Sequence, residues 1–180
     1  MDFNKLILQR ESVRKYTDKE VSREDLIKCV EAARMTPSAH NSQPWTFVIV
    51  DDKELVSKLA DETFNEIVRF NKFVKNAKAI AAVVIEKSHF AMVGSNKSDK
   101  DYNFIDIGSA TEHFCLQAAE LGIGTCILGY FNEKNVKQLL NVPEGKRVGL
   151  MISIGYSPFD SAREKKRKSI DEICRFNSYK

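Results

Sequence analysis

The chain has few of the residues that form covalent cross-links or bind metals. Its 180 residues include four cysteines and three histidines, and no two cysteines make a Cys-x-x-Cys pair. Only His113 and Cys115 lie within metal-site spacing, which is two ligands short of a closed zinc site. We therefore expect free thiols and no bound metal.

Long apolar runs, a leader sequence and an excess of one charge are also missing. The longest apolar run, residues 79–85, is far below the roughly 20 residues that span a bilayer. The 28 basic residues are offset by 25 acidic ones, so the net charge of +3 gives no overall field that attracts nucleic acid or membranes.

Residues 1–5 lack the pattern of a secretory signal. We expect a cytoplasmic protein, and the length predicts one domain over residues 1–180.

The nucleotide-binding motifs of the common α/β folds are absent as well. Gly122-x-Gly124 follows a helical pattern rather than a strand and is not completed as G-x-G-x-x-G, and there is no P-loop sequence. Dinucleotide or ATP binding by those folds is therefore not expected.

The chain does contain an alternation of helical and strand patterns. Ser22 has the character of a helix N-cap, and helices between successive strands predict a sheet flanked by helices. Helical patterns follow Ser22, fill 52–76 as two short helices and cover 105–121 and 133–140, and strand patterns cover 45–50, 79–85, 125–128 and 147–154.

Two segments depart from this regular pattern. Gly108 lies inside the predicted helix 105–121, where glycine costs roughly 1 kcal/mol relative to alanine, and this indicates close packing against another element. Residues 88–103 are polar without clear periodicity, and excursions of this length are often functional lids.

The first candidate site is formed by Arg10, Ser12 and Arg14. In an extended segment alternate side chains lie on one face, so these three side chains can converge on an anion. Arginine offers a fork of donors that matches a phosphate, and serine adds a hydroxyl or a backbone N–H. A solvated edge with two surface charges explains the same residues equally well.

The second candidate site is the loop 37–45 between a predicted helix and a predicted strand. Asn41 and Gln43 can make paired hydrogen bonds to a ring edge or a ribose, while the prolines of the loop fix its backbone. An ordinary turn would explain Pro37 and Ser38 but would leave Asn41 and Gln43 without a role.

Two further segments can be explained with or without a ligand. Three glycines in 122–129 permit a backbone to approach a flat ligand, although a helix cap and a buried strand explain them better. Cys126 has no identifiable base, so we expect a small buried residue rather than a nucleophile. The basic run 165–168 lacks interleaved aromatic residues, and a solvated face is its usual explanation, but Lys165 and Arg167 could instead bind a phosphate.

Taken together, these segments resemble the nitroreductase family of flavoproteins, although each motif alone is weak. The resemblance is carried by Arg10-x-Ser12-x-Arg14, Pro37-Ser38-x-x-Asn41-x-Gln43-Pro44-Trp45 and Gly122-x-Gly124-Thr125-Cys126-x-x-Gly129, in that order and separation. It implies an α+β fold with a central mixed sheet flanked by helices, built as an intertwined homodimer with FMN at the subunit interface.

The resemblance also implies which residues hold FMN. The phosphate would be bound by Arg10, Ser12 and Arg14 with Lys165 or Arg167, and the loop 37–41 would come from the partner subunit. The tail 157–180 would pack on that partner. The implied FMN-binding residues are Arg10, Glu11, Ser12, Val13, Arg14, Pro37, Ser38, Ala39, Asn41, Gln43, Asn71, Ile127, Leu128, Gly129, Lys165 and Arg167.

The activity implied by the resemblance needs no catalytic side chain, because the cofactor carries the chemistry. NADH or NADPH and a small electron-poor acceptor, such as a nitroaromatic, a quinone or a flavin, would bind in turn in a ping-pong reaction. One alternative is a flavin enzyme of another reaction type, such as dehalogenation, dehydrogenation or flavin fragmentation. The other is a non-catalytic protein that binds anions or nucleic acid through its basic tail.

Overall fold

The computed structural model describes residues 2–86 and 102–179. Its helices are α1 (Phe3–Gln9), α2 (Arg23–Arg34), α3 (Lys53–Asp61), α4 (Tyr102–Glu120), α5 (Glu133–Leu139) and α6 (Ile170–Ile173). Its strands are β1 (Trp45–Val50), β2 (Ala79–Ile85), β3 (Gly124–Leu128) and β4 (Arg147–Gly155). The predicted lid 88–103 lies outside the described residues, except for Tyr102 and Asn103, which begin α4.

Side chains cap the start of several helices. The Ser22 hydroxyl accepts a hydrogen bond from the backbone N–H of Asp25 at 3.1 Å, and the predicted helix start at Ser22 is therefore confirmed. Asp52 caps α3 in the same way, because its carboxylate accepts from the N–H of Leu55 at 2.8 Å. Such caps satisfy backbone donors that have no partner within the helix.

Two parts of the helical pattern differ from the expectation. The second helix expected within 52–76 is a short 3₁₀ turn, Lys72–Asn76. Helix α1 was not expected at all, although Asp2 caps it by accepting from the N–H of Lys5 at 3.4 Å. A helix of seven residues is too short to show a clear period in the sequence.

The four strands form one sheet in the order β1-β2-β4-β3, and every neighbouring pair is antiparallel. The parallel component is a single bridge between Ser12 and Thr125. The α+β class and the helix-flanked sheet are confirmed. The sheet is less mixed than the resemblance implied, because the segment that runs parallel to β3 makes one bridge rather than a full strand.

Helices cover both faces of this sheet. Helices α2 and α4 pack on one face, where Phe114 of α4 stacks on Phe47 of β1 with ring centroids 5.6 Å apart. Helices α3 and α5 cover the other face through buried residues such as Leu59 and Val136. Strand β2 is buried on both faces along most of its length, which explains its continuous apolar run.

Helix α4 has one face without a packing partner in the described part of the chain. A Cβ built on Gly108 meets no atom within 4 Å, and Ile105 on the same stretch is 58% exposed. The prediction of close packing at Gly108 is therefore wrong. No residue in 2–86 or 102–179 packs there, because α4 turns this face outward.

The described ranges offer neither a membrane span nor a metal cluster. Within them, no helix has both the length and the apolar character that a membrane crossing needs. No group of three or more His, Cys, Asp or Glu side chains in these ranges is arranged to hold a metal ion.

Candidate functional site

The segment Arg10–Arg14 lies alongside the edge strand β3. The backbone N–H of Val13 donates to the carbonyl oxygen of Thr125 at 2.8 Å. The side chain of Val13 occupies the space beside Gly124, where a Cβ would come within 2.6 Å of it. Glycine at position 124 therefore makes room for the segment itself and not, as the sequence allowed, for a flat ligand.

This segment and the tail together line an open groove, which we call the basic groove. Six of the side chains that line it are basic and two are acidic, so a ligand in the groove would meet a local excess of positive charge despite the chain's small net charge. The lining residues are Arg10, Glu11, Ser12, Arg14, Arg163, Glu164, Lys165, Lys166 and Arg167. The structure thus brings the predicted cradle and both predicted tail cations, Lys165 and Arg167, into one place.

Arg10 is fixed in this groove by contacts on two sides. Its Nε lies 3.0 Å from a carboxylate oxygen of Glu112 on α4, a contact that uses one of the five N–H groups of the guanidinium. The ammonium of Lys165 donates to the carbonyl oxygen of Arg10. Burial and the nearby cations Arg10 and Arg167 lower the pKa of Lys165. A group of like charges held this closely is suited to an anion that would offset their repulsion.

The end of β3 and the residues after it form a second, less polar part of the site. Ile127 is 43% exposed, whereas Leu128 is buried in the core. A Cβ on Gly129 would meet nothing within 4 Å, so its backbone faces open space. The amide of Asn71 donates to the carbonyl oxygen of Tyr130 at 3.3 Å, which places Asn71 beside this end of the strand.

Cys126 lies in β3 between these two parts and points into the core. It is 4% exposed, and burial raises the pKa of its thiol, although Arg14 and Ser12 partly oppose that effect. A thiol kept protonated in this way is a poor nucleophile. The prediction of a small buried residue at Cys126 is confirmed.

The loop 37–43 has an unusual backbone. His40, Asn41 and Gln43 have φ angles of 53°, 52° and 46°, in the left-handed region that costs an ordinary residue about 1–2 kcal/mol. Local hydrogen bonds hold this conformation: the N–H of Gln43 donates to the Ser38 hydroxyl at 2.9 Å, and the Gln43 amide donates to the Asn41 carbonyl oxygen at 3.2 Å. Strain that is stabilised in this way is typical of functional segments.

This loop does not reach the basic groove of its own chain. The N–H of Ala39 donates to the carboxylate of Asp106 on α4 at 3.2 Å, while Arg10 contacts Glu112 on the same helix. Six residues of helix separate the two anchor points by about 9 Å along the axis and by roughly a third of a turn around it. None of the residues that line the groove comes from 37–43.

Comparison with known proteins identifies the family. The model of the nitroreductase family matches residues 7–156. The chain belongs to the nitroreductase family. The resemblance expected from the three sequence motifs is therefore confirmed, and the family is one of oxidoreductases.

Individual relatives of this nitroreductase-family chain cover nearly its whole length. A protein of Archaeoglobus fulgidus with the provisional name NADH dehydrogenase/NAD(P)H nitroreductase is 35% identical over 156 residues, 84% of this chain and 83% of its own. The iodotyrosine deiodinase of Thermotoga neapolitana is 27% identical over 184 residues, 97% of each chain. The solved FMN-dependent nitroreductase of Clostridium difficile R20291 is 29% identical, with a TM-score of 0.75 over 97% of this chain and 98% of that one.

Sequence reasoning missed Arg163, which lines the basic groove together with the predicted cations. Its Nε donates to the Glu11 carboxylate at 2.6 Å and its Nη2 to the carbonyl oxygen of Ser12 at 2.8 Å. The side chain of Glu11, a residue of the segment expected to hold FMN, is therefore bonded to Arg163. Only the alternation of basic residues at 163, 165 and 167 could have pointed to Arg163, because the tail has no regular structure around it.

Proposed function

We propose that this protein is a cytoplasmic, homodimeric FMN-dependent oxidoreductase that transfers electrons from NAD(P)H to a small electron-poor acceptor. The basic groove is the observation that carries the proposal, because this member of the nitroreductase family has a local excess of positive charge beside β3 that suits a phosphate. The name of the Clostridium difficile relative, an FMN-dependent nitroreductase, supports the same cofactor. The four cysteines of the present chain are free, as is usual in a reducing compartment.

The donors in the groove fit the phosphate of FMN. Arg10 and Arg14 would each present a planar fork to the phosphate oxygens, and Lys165 and Arg167 would add charge from the tail. Ser12 lies between the two arginines in sequence and lines the same groove. These groups would hold one end of the cofactor and leave its ring near the end of β3.

The end of β3 fits the flavin ring. The exposed side chain of Ile127 and the open backbone of Gly129 would lie against one ring face, and the amide of Asn71, fixed by Tyr130, would meet the ring edge. Leu128 is buried, so only its backbone would contribute. The chemistry that FMN supplies when bound is hydride acceptance from NAD(P)H and electron transfer to the acceptor. The protein's residues would orient the ring and leave its second face to both substrates in turn.

The partner subunit would supply the loop 37–43. In its own chain this loop lies on α4 away from the groove, so Pro37, Ser38, Ala39, Asn41 and Gln43 would reach a flavin only in the second subunit. Exposed apolar residues on α4 and in the tail support such an interface, among them Ile105, Ile170, Ile173 and Phe176. We propose that residues 157–180 extend from the single domain and pack on the partner.

Anaerobic mixing with NADH or NADPH tests the proposed reaction. The purified protein should be yellow and should bleach rapidly with at least one nicotinamide, and an oxidised quinone or nitroaromatic should restore the colour. A colourless protein that takes up no FMN would contradict the proposal. Salt-sensitive binding of RNA or DNA by such a colourless protein would favour a nucleic-acid-binding role for the tail.

Reductive dehalogenation is the second candidate reaction. The similarity to an iodotyrosine deiodinase over 97% of each chain favours this alternative over the other flavin-dependent reactions. Release of iodide from iodotyrosine by chemically reduced protein, together with slow bleaching by both nicotinamides, would support it.

A further inference from the structure

The basic groove contains a carboxylate where an anion site should avoid one. Glu11 lines the groove between Arg10 and Ser12, and its side chain is only 14% exposed. A carboxylate in this position repels a phosphate, and partial burial weakens the screening of that repulsion by water. A reason for Glu11 must therefore lie in what it contacts.

Glu11 contacts Arg163, a residue 152 positions away in the sequence. The guanidinium donates through Nε to the Glu11 carboxylate at 2.6 Å and through Nη2 to the Ser12 carbonyl oxygen at 2.8 Å. One side chain is thus bonded to two successive residues of the cradle. The two hydrogen bonds, one to a carboxylate and one to a carbonyl oxygen, fix the orientation of the Arg163 guanidinium better than one bond would.

The tail cations depend on this attachment. Residues 163–167 have no helix or strand to hold them, and ordering such a segment costs conformational entropy for each residue. Lys165 and Arg167 follow Arg163 at alternate positions, and the Lys165 ammonium reaches the carbonyl oxygen of Arg10. Attachment at Arg163 therefore brings both cations to the groove.

We propose that Glu11 and Arg163 form a latch that holds the tail cations against the phosphate of FMN. Glu11 is then a positioning residue and not a cofactor ligand. The latch rests on the proposed function, because it needs a phosphate in the groove.

The Glu11→Ala variant separates the latch from simple electrostatics by the sign of its effect. Removal of a negative charge near a phosphate should tighten FMN binding if charge alone matters. If the latch matters, FMN binding should weaken roughly tenfold, as expected for the loss of one well-made charged contact. Binding of riboflavin, which has no phosphate, should stay unchanged. Dissociation constants from flavin fluorescence titration of the full-length protein measure both ligands.

Two further variants complete the test. The matched control is Glu31→Ala, because Glu31 makes a similar two-bond pair with Arg34, at 2.8 and 2.6 Å, on the exposed face of α2. It should change neither dissociation constant. The charge-swapped variant Glu11→Arg/Arg163→Glu keeps the ion pair but loses the bond to the Ser12 carbonyl oxygen, so it should recover part of the FMN affinity that Glu11→Ala loses.

The outcomes distinguish a failed latch from a failed function. FMN binding by Glu11→Ala that is as tight as in the wild type, or tighter, would overturn the latch. An equal loss of FMN and riboflavin binding would also overturn it, since a general disturbance of the fold would explain that result. A wild-type protein that binds neither flavin would overturn the proposed function, and the latch with it.

Discussion

The basic groove and the loop 37–43 are two halves of one proposed site, and they are built in opposite ways. The groove is assembled within one chain, from a segment beside β3 and a tail segment more than 150 positions later. It is rich in charge, and ion pairs fix two of its arginines, Arg10 and Arg163. The loop carries no acidic or basic residue except His40 and depends on a strained backbone.

The difference indicates a division of labour between cofactor retention and site completion. Charged forks hold a phosphate strongly even where the groove is open to solvent. A strained loop with amides offers little affinity alone, but it presents fixed donors to a ring that is already in place. The groove should therefore provide most of the affinity for FMN. The loop should complete the site, and only a dimer can supply it.

The largest effect should come from removal of the two cradle arginines. The variant Arg10→Ala/Arg14→Ala loses at least two charge-assisted contacts of roughly 1.5–3 kcal/mol each, so FMN affinity should fall on the order of 100-fold or more. Fluorescence titration measures it. The control Arg23→Ala/Arg34→Ala removes two exposed arginines of α2 and should bind FMN normally. Wild-type affinity in the cradle variant would show that the phosphate lies elsewhere.

The next effect concerns which chain supplies the loop. A heterodimer can be made from one Arg10→Ala/Arg14→Ala subunit and one Asn41→Ala/Gln43→Ala subunit. If each site uses the loop of the partner, one site combines the altered groove with the altered loop, and the other site is intact. The heterodimer should bind FMN at half of its sites with wild-type affinity, measured by flavin titration of differently tagged, co-purified subunits. If each site used the loop of its own chain, the site with the intact groove would carry the altered loop, and its FMN affinity would fall below that of the wild type.

A several-fold effect should appear in the pH dependence of the groove. Burial, Arg10 and Arg167 lower the pKa of Lys165 below its usual 10.5, so its ammonium loses the proton earlier than an ordinary lysine as pH rises. FMN affinity should fall between that lowered pKa and the higher pKa of the FMN complex, because a neutral amine binds phosphate less well. Lys165→Arg stays charged and should flatten the profile. The loop variant Asn41→Ala/Gln43→Ala should keep the wild-type slope.

The smallest effect should come from the backbone of the loop. His40→Gly removes the steric cost of a φ of 53° and should have a free energy of unfolding about 1 kcal/mol higher than that of His40→Ala, which lacks the same side chain. Urea denaturation of the apoprotein measures this. The matched variant His40→Ala keeps the strain and should give no such gain, and equal stability of the two variants would show that the loop is not strained.

The fold was largely predictable because its strands are marked by composition. The bounds of β1 and β2 agree with the sequence patterns, since apolar residues of β1 and β2 are flanked by Pro44, Asp51, Lys78 and Glu86. Helix α4 was located by its apolar stripe. Besides the unexpected helix α1 and the short 3₁₀ turn, the prediction failed at Gly108, whose expected neighbour does not lie in the described part of the same chain.

The site was predictable only where neighbouring residues carry it. Arg10, Ser12 and Arg14 share a segment, so their alternation could be read directly. The partnership of Arg163 with Glu11 depends on how the chain folds across 152 positions, which no local pattern encodes. The alternation of Lys165 and Arg167 suggested phosphate contacts, the family resemblance favoured that role, and the groove that the two residues line supports it.

The bridge between Ser12 and Thr125 has a consequence for solubility. Strand β3 is an edge strand, and an uncovered edge is a template for pairing with other chains and for aggregation. Val13 occupies part of that edge through its bond to Thr125. The segment proposed to bind the phosphate thus also covers part of the sheet edge, so conditions that detach it should promote aggregation as well as loss of the proposed cofactor.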